Sequence, residues 1–186
     1  QDQAIIQQRG YDRRNMVIGN ANARNIGLFV NGGIPTNSKS EFYFSGGITY
    51  RTGTGYGNNR VPNSRNQQPL RADGSLFYPD GFLPGITSDI NDRSLILGYK
   101  TMLGKWNMDV SNTAGQNTFA FTVEQSGNAS LPANDNQQTV FDAGKLAFLQ
   151  NTANLDVSRR FATSGTSSIN VAYGAEYRYE KYRIQA

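Results

Sequence analysis

The sequence predicts an all-β fold, an antiparallel up-and-down meander of about six long strands. The clearest signal is the segment SINVAYGAEYRYEKYRI at residues 168–184, in which apolar or tyrosine side chains alternate with polar or charged ones. Because side chains of a strand point alternately to its two faces, this segment has one apolar and one polar face. It is also longer than the strands of most soluble domains, which have about 5–6 residues.

The lengths of the strands and of their connections together indicate a protein that crosses a membrane. A strand that crosses an outer membrane needs about 9–11 residues, with aromatic side chains near the water interfaces. The predicted connections are alternately short and long, as in barrels with short periplasmic turns and long extracellular loops. We therefore predict that the meander is a partial wall of a transmembrane β-barrel.

Composition excludes several function classes. The chain has 186 residues and no Cys or His, which removes disulfides, Ser-His-Asp triads and the usual zinc ligands. A membrane-spanning helix is excluded because no run of 18 apolar residues occurs, whereas a barrel strand turns half of its residues to a polar lumen. The net charge of +4 comes from scattered basic residues. We expect no enzyme activity, cofactor, metal site or nucleic-acid partner.

The first predicted hairpin joins strands 25–34 and 41–51 through the turn 35–40, whose sequence PTNSKS is rich in turn-forming residues. Residues 1–24 are ambiguous. Ala4 to Ile6 is interpreted as the end of an ascending strand, and Arg9 to Asn22 as loop.

The second predicted hairpin follows a long extracellular loop at 52–92 and joins strands 93–101 and 105–124 through the short turn 102–104. The apolar positions of the latter strand are even-numbered up to Ala114 and odd-numbered from Phe119. A bulge near Gly115 explains this change of phase, and so does a strand that has left the membrane.

The third predicted hairpin follows the extracellular loop 125–142. Residues 143–161 carry a short helical pattern, but strand alternation lasts longer and favours a strand. The turn 162–167 then leads to the final strand, 168–185.

The residues resemble a known family in several places. The stretch 141–184, FDAGKLAFLQNTANLDVSRRF followed by INVAYGAEYRYEKYRI, resembles the barrel of TonB-dependent outer-membrane receptors of the Bacteroidetes type. The stretches FTVEQSGNASLP at 121–132 and NSRNQQPLRADGSLFYPDGFLPGI at 63–86 are similar to that barrel too, as is the hairpin FVNGGIPTNSKSEFYFSGGITYR.

The resemblance implies a 22-stranded barrel filled by a plug domain, located in the bacterial outer membrane and energised by TonB. Such receptors bind and import scarce nutrients such as iron chelates, cobalamin or glycans. Residues 1–186 then form one partial barrel segment without the plug, and both ends look cut from a longer protein. The expected partners are outer-membrane lipid, the remaining barrel and plug, TonB through the parent chain, and an extracellular nutrient.

Four charged residues are candidates for the lumen of the barrel, namely Asp156, Glu176, Arg178 and Glu180. Charged residues cost about 2–4 kcal/mol on the lipid face at mid-depth, which favours the inward direction for the last three. They guide a substrate or hold the plug, or they are an ordinary solvated surface with exposed ion pairs.

The loop 52–92 contains the ligand candidates Tyr56, Phe77, Tyr78 and Phe82, which either stack on a ligand or fold the loop onto itself. Gly53 to Gly57 lacks the spacing of a dinucleotide-binding motif and is interpreted as flexible loop. Aspartates near glycines suggest calcium only weakly, because Asp-Gly is first a turn signal and the spacing misses the EF-hand pattern. These aspartates are Asp73, Asp80, Asp89 and Asp92.

Two alternatives remain open from sequence. One is a complete small outer-membrane β-barrel or porin of eight strands, which needs two more strands than are visible. The other is a soluble carbohydrate-binding β-sandwich, in which the apolar strand faces meet a second sheet inside a core.

Overall fold

The computed structural model describes residues 2–11, 16–19, 21–62 and 67–186. Its elements are α1 (Asp2–Arg9), β1 (Asn22–Asn37), β2 (Ser40–Tyr56), β3 (Gly85–Leu103), β4 (Trp106–Glu124), β5 (Phe141–Ala162) and β6 (Ser168–Gln185). The six strands form one sheet in the order β1-β2-β3-β4-β5-β6, and all neighbours are antiparallel. The predicted all-β meander of six strands is confirmed, including the choice of strand over helix for residues 143–161.

The connections alternate in length as predicted. The short turns are 38–39, 104–105 and 163–167, and they lie at one end of the sheet. Asn37 Oδ1 accepts a hydrogen bond of 2.9 Å from the Lys39 amide in the first turn. Gly104 has a φ of 64° in the second turn, a conformation in which a side chain is disfavoured. The long loops 57–84 and 125–140 lie at the opposite end.

Two boundary predictions were wrong. The predicted loop 52–92 shrinks to 57–84, because 52–56 belong to β2 and 85–92 to β3. Residues 52–54 are polar on both faces, and Ile86 and Ile90 lie on the face opposite to most other apolar residues of β3, so neither extension continues the alternation of its strand. Their backbones nevertheless pair continuously from Tyr56↔Gly85 onward. The glycine-rich segment 53–57 is therefore mostly paired strand rather than flexible loop. Residues 63–66 lie outside the described residues.

The predicted strand ending at Ala4 to Ile6 was also wrong, because these residues lie in α1. Three apolar residues in a row do not separate helix from strand, and the surrounding Gln and Arg residues are good helix formers. Arg9 at the end of α1 forms an ion pair of 3.0 Å with Asp80 in the long loop. The predicted loop 9–22 lies partly outside the described residues, at 12–15 and 20.

The change of phase in β4 is not caused by a bulge near Gly115. The β3–β4 ladder is continuous, with Ser94↔Gly115 in register. The only irregularity between β4 and β5 lies between Ala120 and Thr122, beyond the point at which the apolar positions change. Strand β4 therefore exchanges its apolar face while its pairing stays regular.

The sheet has no second layer within the described residues. The large apolar side chain that is buried there is Phe82, whereas apolar residues along all six strands are exposed. The accessible surface is 13397 Å². A compact monomer of 20.5 kDa is expected to expose about 8,900 Å². Among the described residues, no helix has the length and apolarity needed to cross a bilayer.

Aromatic rings packed over glycines fill the space between neighbouring strands. Phe44 covers its register partner Gly32, and an added Cβ there lies 2.8 Å from the ring. Phe29 covers Gly47 and Tyr43 covers Gly98 in the same way, across the β1–β2 and β2–β3 pairs. Such pairs fix register, because a shift of one residue separates ring from glycine.

Substitution Gly98→Ala should destabilise the sheet, because its Cβ overlaps the Tyr43 ring. That ring must then move away from Asp109, to which its hydroxyl donates a hydrogen bond of 2.9 Å. We expect a loss of about 1–3 kcal/mol in the free energy of unfolding. Chemical unfolding in detergent micelles, followed by circular dichroism, measures it.

Gly115→Ala is the matched control, since Gly115 lies mid-strand on the same face and its nearest neighbour, the Arg93 carbonyl, is 3.9 Å from an added Cβ. It should be neutral or slightly stabilising, by at most about 1 kcal/mol. Equal losses for the two variants would contradict the packing role of Gly98.

Candidate membrane-facing surface and loop cap

Register assigns every strand residue to one of two faces. Even-numbered residues of β1 pair with even-numbered residues of β2, which pair with odd-numbered residues of β3. These pair with even-numbered residues of β4, which pair with odd-numbered residues of β5, and those pair with odd-numbered residues of β6. We call this the band face and the opposite one the polar face. The assignment holds for β5 from Lys145 onward, because the irregularity at Ala120 changes the phase of residues 141–142.

The band face carries a continuous apolar band across all six strands. Its members are Ile26, Leu28, Val30 and Ile34 on β1; Phe42, Phe44, Ile48 and Tyr50 on β2; Leu95, Leu97, Tyr99 and Leu103 on β3; Trp106, Met108, Val110 and Ala114 on β4; Ala147, Leu149, Ala153, Leu155, Val157 and Phe161 on β5; and Ile169, Val171, Tyr173, Ala175, Tyr177 and Tyr179 on β6.

The apolar band runs obliquely across the strands. Followed from partner to partner across the sheet, the register leads from Ile34, the last apolar residue of β1 on the turn side, to Ala175 of β6. On β6, however, the apolar band extends six residues beyond Ala175 toward the turns, to Ile169. At the loop-side edge of the apolar band, the same register leads from Ile26 of β1 to Arg183 of β6. On β6 the apolar band ends four residues before Arg183, at Tyr179. A shift of four to six residues corresponds to about 14–20 Å along a strand, and the five spacings from β1 to β6 add up to about 24 Å. The strands are therefore tilted by about 30–40° from the perpendicular to the apolar band.

Aromatic residues lie at the turn-side edge of the apolar band, and Tyr50 and Tyr179 end it on the loop side of β2 and β6. At the turn end, Trp106 lies 6.0 Å from Phe161 and 5.7 Å from Tyr173, measured between ring centroids. The guanidinium of Arg159 lies over Phe161 and Trp106, at 4.5 and 5.5 Å from their centroids. Its charge is therefore held against ring faces at the edge of the apolar band rather than at its centre.

Two amides interrupt the apolar band and satisfy each other. Asn112 donates to the side-chain oxygen of Asn151 at 3.0 Å, and Asn151 donates back at 2.9 Å. An amide on an apolar surface is costly without a partner, so the reciprocal pair explains how both residues are tolerated there.

Toward the long loops the apolar side of the strands changes from the band face to the polar face. The residues of this loop-end patch are Ile86 and Ile90 on β3, Phe119, Phe121 and Val123 on β4, Leu146 and Phe148 on β5, and Tyr182 and Ile184 on β6. Ile86 and Val123 line a cleft of about 490 Å³ together with Phe82 and Pro84 of the loop above. This change of face was predicted only for β4, although the sequences of β3, β5 and β6 show it too.

The four charged lumen candidates lie together on the polar face. Arg178 contacts Glu176 at 2.8 Å and Glu180 at 3.9 Å, and these side chains are about half exposed. Asp156 pairs with Gly174 and is the diagonal neighbour of Glu176. Exposed ion pairs contribute about 0–1 kcal/mol, so the geometry indicates a solvated polar surface rather than a built binding site.

The two long loops, 57–84 and 125–140, dock on each other and are called the loop cap. The Asn134 amide and the Gln137 side chain donate to the Leu70 carbonyl at 3.1 and 2.8 Å. Asp135 accepts a bond of 3.1 Å from the Ala72 amide. Gln137 is only 6% exposed and Gln68 only 1%. These buried glutamines were missed from sequence, because nothing distinguishes them from other amides in a polar loop.

Three of the four aromatic ligand candidates pack within the loop cap. Tyr78 lies 4.9 Å from Phe77 and 4.5 Å from Phe82, and its hydroxyl donates to the Ser126 carbonyl at 2.8 Å. Burial raises the pKa of Tyr78 above its ordinary value. The geometry favours the reading in which the loop folds onto itself. Tyr56 lies apart from this cluster, at the end of β2, and is 46% exposed.

The calcium candidates are not brought together. Asp89 and Asp92 lie on opposite faces of β3 and accept hydrogen bonds from Tyr50 and Asn117. Asp80 pairs with Arg9, and hydrogen bonds from Ser75 lower the pKa of Asp73. In the described part of the chain, no group of three or more acidic or other ligating side chains is placed to hold a metal ion.

No family model matches the chain, and no curated protein matches it.

Replacing Gln137 by Ala should loosen the loop cap without affecting the sheet. The variant removes donors to the Leu70 and Pro132 carbonyls, at 2.8 and 3.0 Å. We expect a local loss of about 1 kcal/mol, or about fivefold faster amide exchange in residues 70–72 and 132–137. Hydrogen-exchange mass spectrometry measures this.

The neighbouring Gln138→Ala is the control, because Gln138 is exposed and donates only to Val140, two residues away. Exchange that increases equally in both variants, or that extends into the strands, would show that Gln137 has no special role in joining the loops.

The Asn112–Asn151 pair should behave as a unit. Either single substitution to Leu leaves an amide without its partner and should lower the free energy of unfolding by about 1 kcal/mol. The double variant should recover at least the wild-type stability, because both polar groups are removed. A double-mutant cycle in detergent measures the coupling, and additive losses would contradict it.

Proposed function

We propose that this chain is a segment of the barrel wall of a TonB-dependent outer-membrane receptor that binds and imports a scarce nutrient such as an iron chelate, cobalamin or a glycan. The proposed location in a membrane rests on the uncovered apolar band. The receptor part rests on the resemblance of the stretches 63–86, 121–132 and 141–184 to that family.

The dimensions of the apolar band support a bilayer as its partner. On β1 and β2 it runs from Ile26 to Ile34 and from Phe42 to Tyr50. Each run is nine residues, or about 27 Å along a strand. With a tilt of about 30–40° its height is about 21–23 Å, close to the roughly 25 Å apolar band of transmembrane barrels, whose strands tilt by about 35–45°. Aromatic residues at both edges fit the interfacial girdles of such barrels.

The open edges of the sheet support a larger barrel. Strands β1 and β6 each pair on one side only, and each presents a row of free backbone groups. No backbone group remains unpaired in hydrocarbon, so a wall of this kind is completed by further strands. In the proposed receptor these strands, the plug and the TonB contact belong to other parts of the parent protein.

The two alternatives receive less support. A closed small barrel requires pairing that returns to β1, and the sheet of the described residues is open. A soluble sandwich requires a second sheet over the apolar band, and the described residues contain one sheet only. The polar face, with its ion pairs and solvated amides, corresponds to the lumen of the proposed barrel. We propose no enzyme activity, because the described residues contain no arrangement of side chains that suggests catalysis.

Arginine substitutions at two alanines of β6 test the assignment of the faces. Ala175 lies on the band face and Ala172 on the polar face, and both are exposed. Arg at Ala175 should cost about 2–4 kcal/mol of folding into lipid vesicles, because its charge is placed in hydrocarbon. Arg at Ala172 should be nearly neutral. Folding yield into vesicles and heat-modifiable migration on gels measure the difference.

Equal tolerance of the two arginines would contradict a lipid-facing band. Recovery of the natural protein in the soluble fraction after cell lysis would contradict the membrane location. Uptake of labelled nutrients by cells that carry or lack the natural protein then tests the receptor function separately.

A further inference from the structure

The cleft of about 490 Å³ between the loop cap and the loop-end patch has the size of a ligand site. Small-molecule sites commonly have volumes of about 300–1,000 Å³. The register partners Ile86 and Val123 line the cleft from the sheet, and Phe82 and Pro84 line it from the loop cap. Because Ile86 and Val123 belong to the polar face, the cleft lies on the side of the proposed lumen rather than on the side of the lipid.

Backbone contacts hold the walls of this cleft in place. Arg60 and Phe82 exchange two backbone hydrogen bonds of 2.8 and 3.0 Å, and the Gly57 amide donates to the Pro84 carbonyl at 2.9 Å. Gly81 has a φ of 81°, and an added Cβ there would overlap the Arg60 carbonyl oxygen, so glycine is required at this position. The segment that carries Arg60 is therefore fixed against the loop cap, and a ligand that binds there has little backbone to order.

The side chains of Arg60, Asn58 and Gln67 supply polar groups to the cleft, and all three residues are exposed. Ion pairs between described residues join Arg9 to Asp80 and Arg178 to two glutamates, and none includes Arg60. Asp80, an acidic residue of the same loop, is thus already paired with another cation. The guanidinium of Arg60 is therefore available to an anionic ligand in the cleft.

This lining combines the three kinds of contact that an acidic sugar makes. A sugar ring has an apolar face of C–H groups, which fits the floor that Ile86 and Val123 form. Its hydroxyls both donate and accept hydrogen bonds, as do the side-chain amides of Asn58 and Gln67. A carboxylate on the ring matches the planar fork of the Arg60 guanidinium, which pairs with carboxylates through two parallel hydrogen bonds.

We propose that the cleft binds one acidic sugar unit, a ring that carries a carboxylate, within a glycan that arrives from the side of the long loops. This inference rests on the proposed function and narrows its nutrient to a glycan with acidic units. The apolar floor and the two amides hold the ring, and Arg60 distinguishes a charged unit from a neutral one.

The test uses the natural protein purified from outer membranes in detergent. Arg60→Gln removes the charge from the cleft, and Asn58→Ala removes an amide. Arg24→Gln is the matched control, because Arg24 is an exposed arginine at the same end of the sheet but on the band face. Each protein is titrated by calorimetry with a hexuronic-acid tetrasaccharide, with the same tetrasaccharide whose carboxyl groups are reduced to alcohols, and with acetate.

Wild type and Arg24→Gln should bind the acidic tetrasaccharide at least about tenfold more tightly than the reduced one. Arg60→Gln should lose about tenfold in affinity for the acidic tetrasaccharide only, so that it binds both equally. Asn58→Ala should weaken both by a similar factor of about three to ten, because it contacts hydroxyls. Equal binding of both tetrasaccharides by wild type, a preference that survives in Arg60→Gln, an equal loss in Arg24→Gln, or acetate binding as tightly as the acidic tetrasaccharide would each overturn the inference.

The proposed function is decided separately. If the protein is recovered from outer membranes and imports a different nutrient, a negative binding result overturns only the acidic-sugar inference. If the protein is not recovered from the membrane fraction, that result contradicts the barrel proposal itself.

Discussion

Backbone pairing along five long antiparallel strand pairs is the interaction on which every other feature depends. The ladders contain two irregularities, one between Pro35 and Asn37 next to the first turn and one between Ala120 and Thr122, so the register assigns the other strand residues to a face with little freedom. A slip by one residue would move the apolar band to the opposite face. Because no second layer covers the sheet in the described part of the chain, its side chains contribute little core packing. Glycine–aromatic pairs such as Gly98 with Tyr43 help to hold the register that the ladders alone would allow to slide.

The exchange of apolar face along the strands reflects two environments rather than a defect in pairing. Near the turns the band face is apolar and the opposite face carries groups such as Asp109 and Asp156. Near the loops Phe119 and Phe121 occupy the polar face, while Arg93 and Lys181 occupy the band face. In the proposed barrel, this corresponds to strands that leave the hydrocarbon and continue into water. Outside the membrane an outward apolar side chain has no stabilising partner, whereas an inward one packs beneath the loop cap.

The sequence predicted those parts of the fold that carry an apolar period. The six strands and the opposite faces of Tyr173 and Glu176 follow from alternation, and the order of the strands follows from the short turns between them. The ends of β2 and β3 were missed because segments such as Thr52 to Thr54 are polar on both faces. Their strand state comes from pairing with a neighbour that is distant in sequence, which local patterns do not encode. The loop cap was missed for a similar reason, since Gln137 gains its role only when Leu70 lies beside it.

The loop cap is held together by hydrogen bonds between its two loops rather than by a hydrophobic core, although the side-chain oxygens of Gln68 and Gln137 are buried without a hydrogen-bond partner among the described residues. Phe82 is its buried apolar residue, and bonds to the Leu70 and Ser126 carbonyls join one loop to the other rather than to the strands below. The two loops therefore form one structural unit, and a contact made by either loop affects both. This unit lies over the loop-end patch, since Phe82 of the loop cap lines one cleft with Ile86 and Val123 of the strands. In the proposed receptor, a nutrient that reaches this end of the wall therefore meets one joined surface rather than two independent loops.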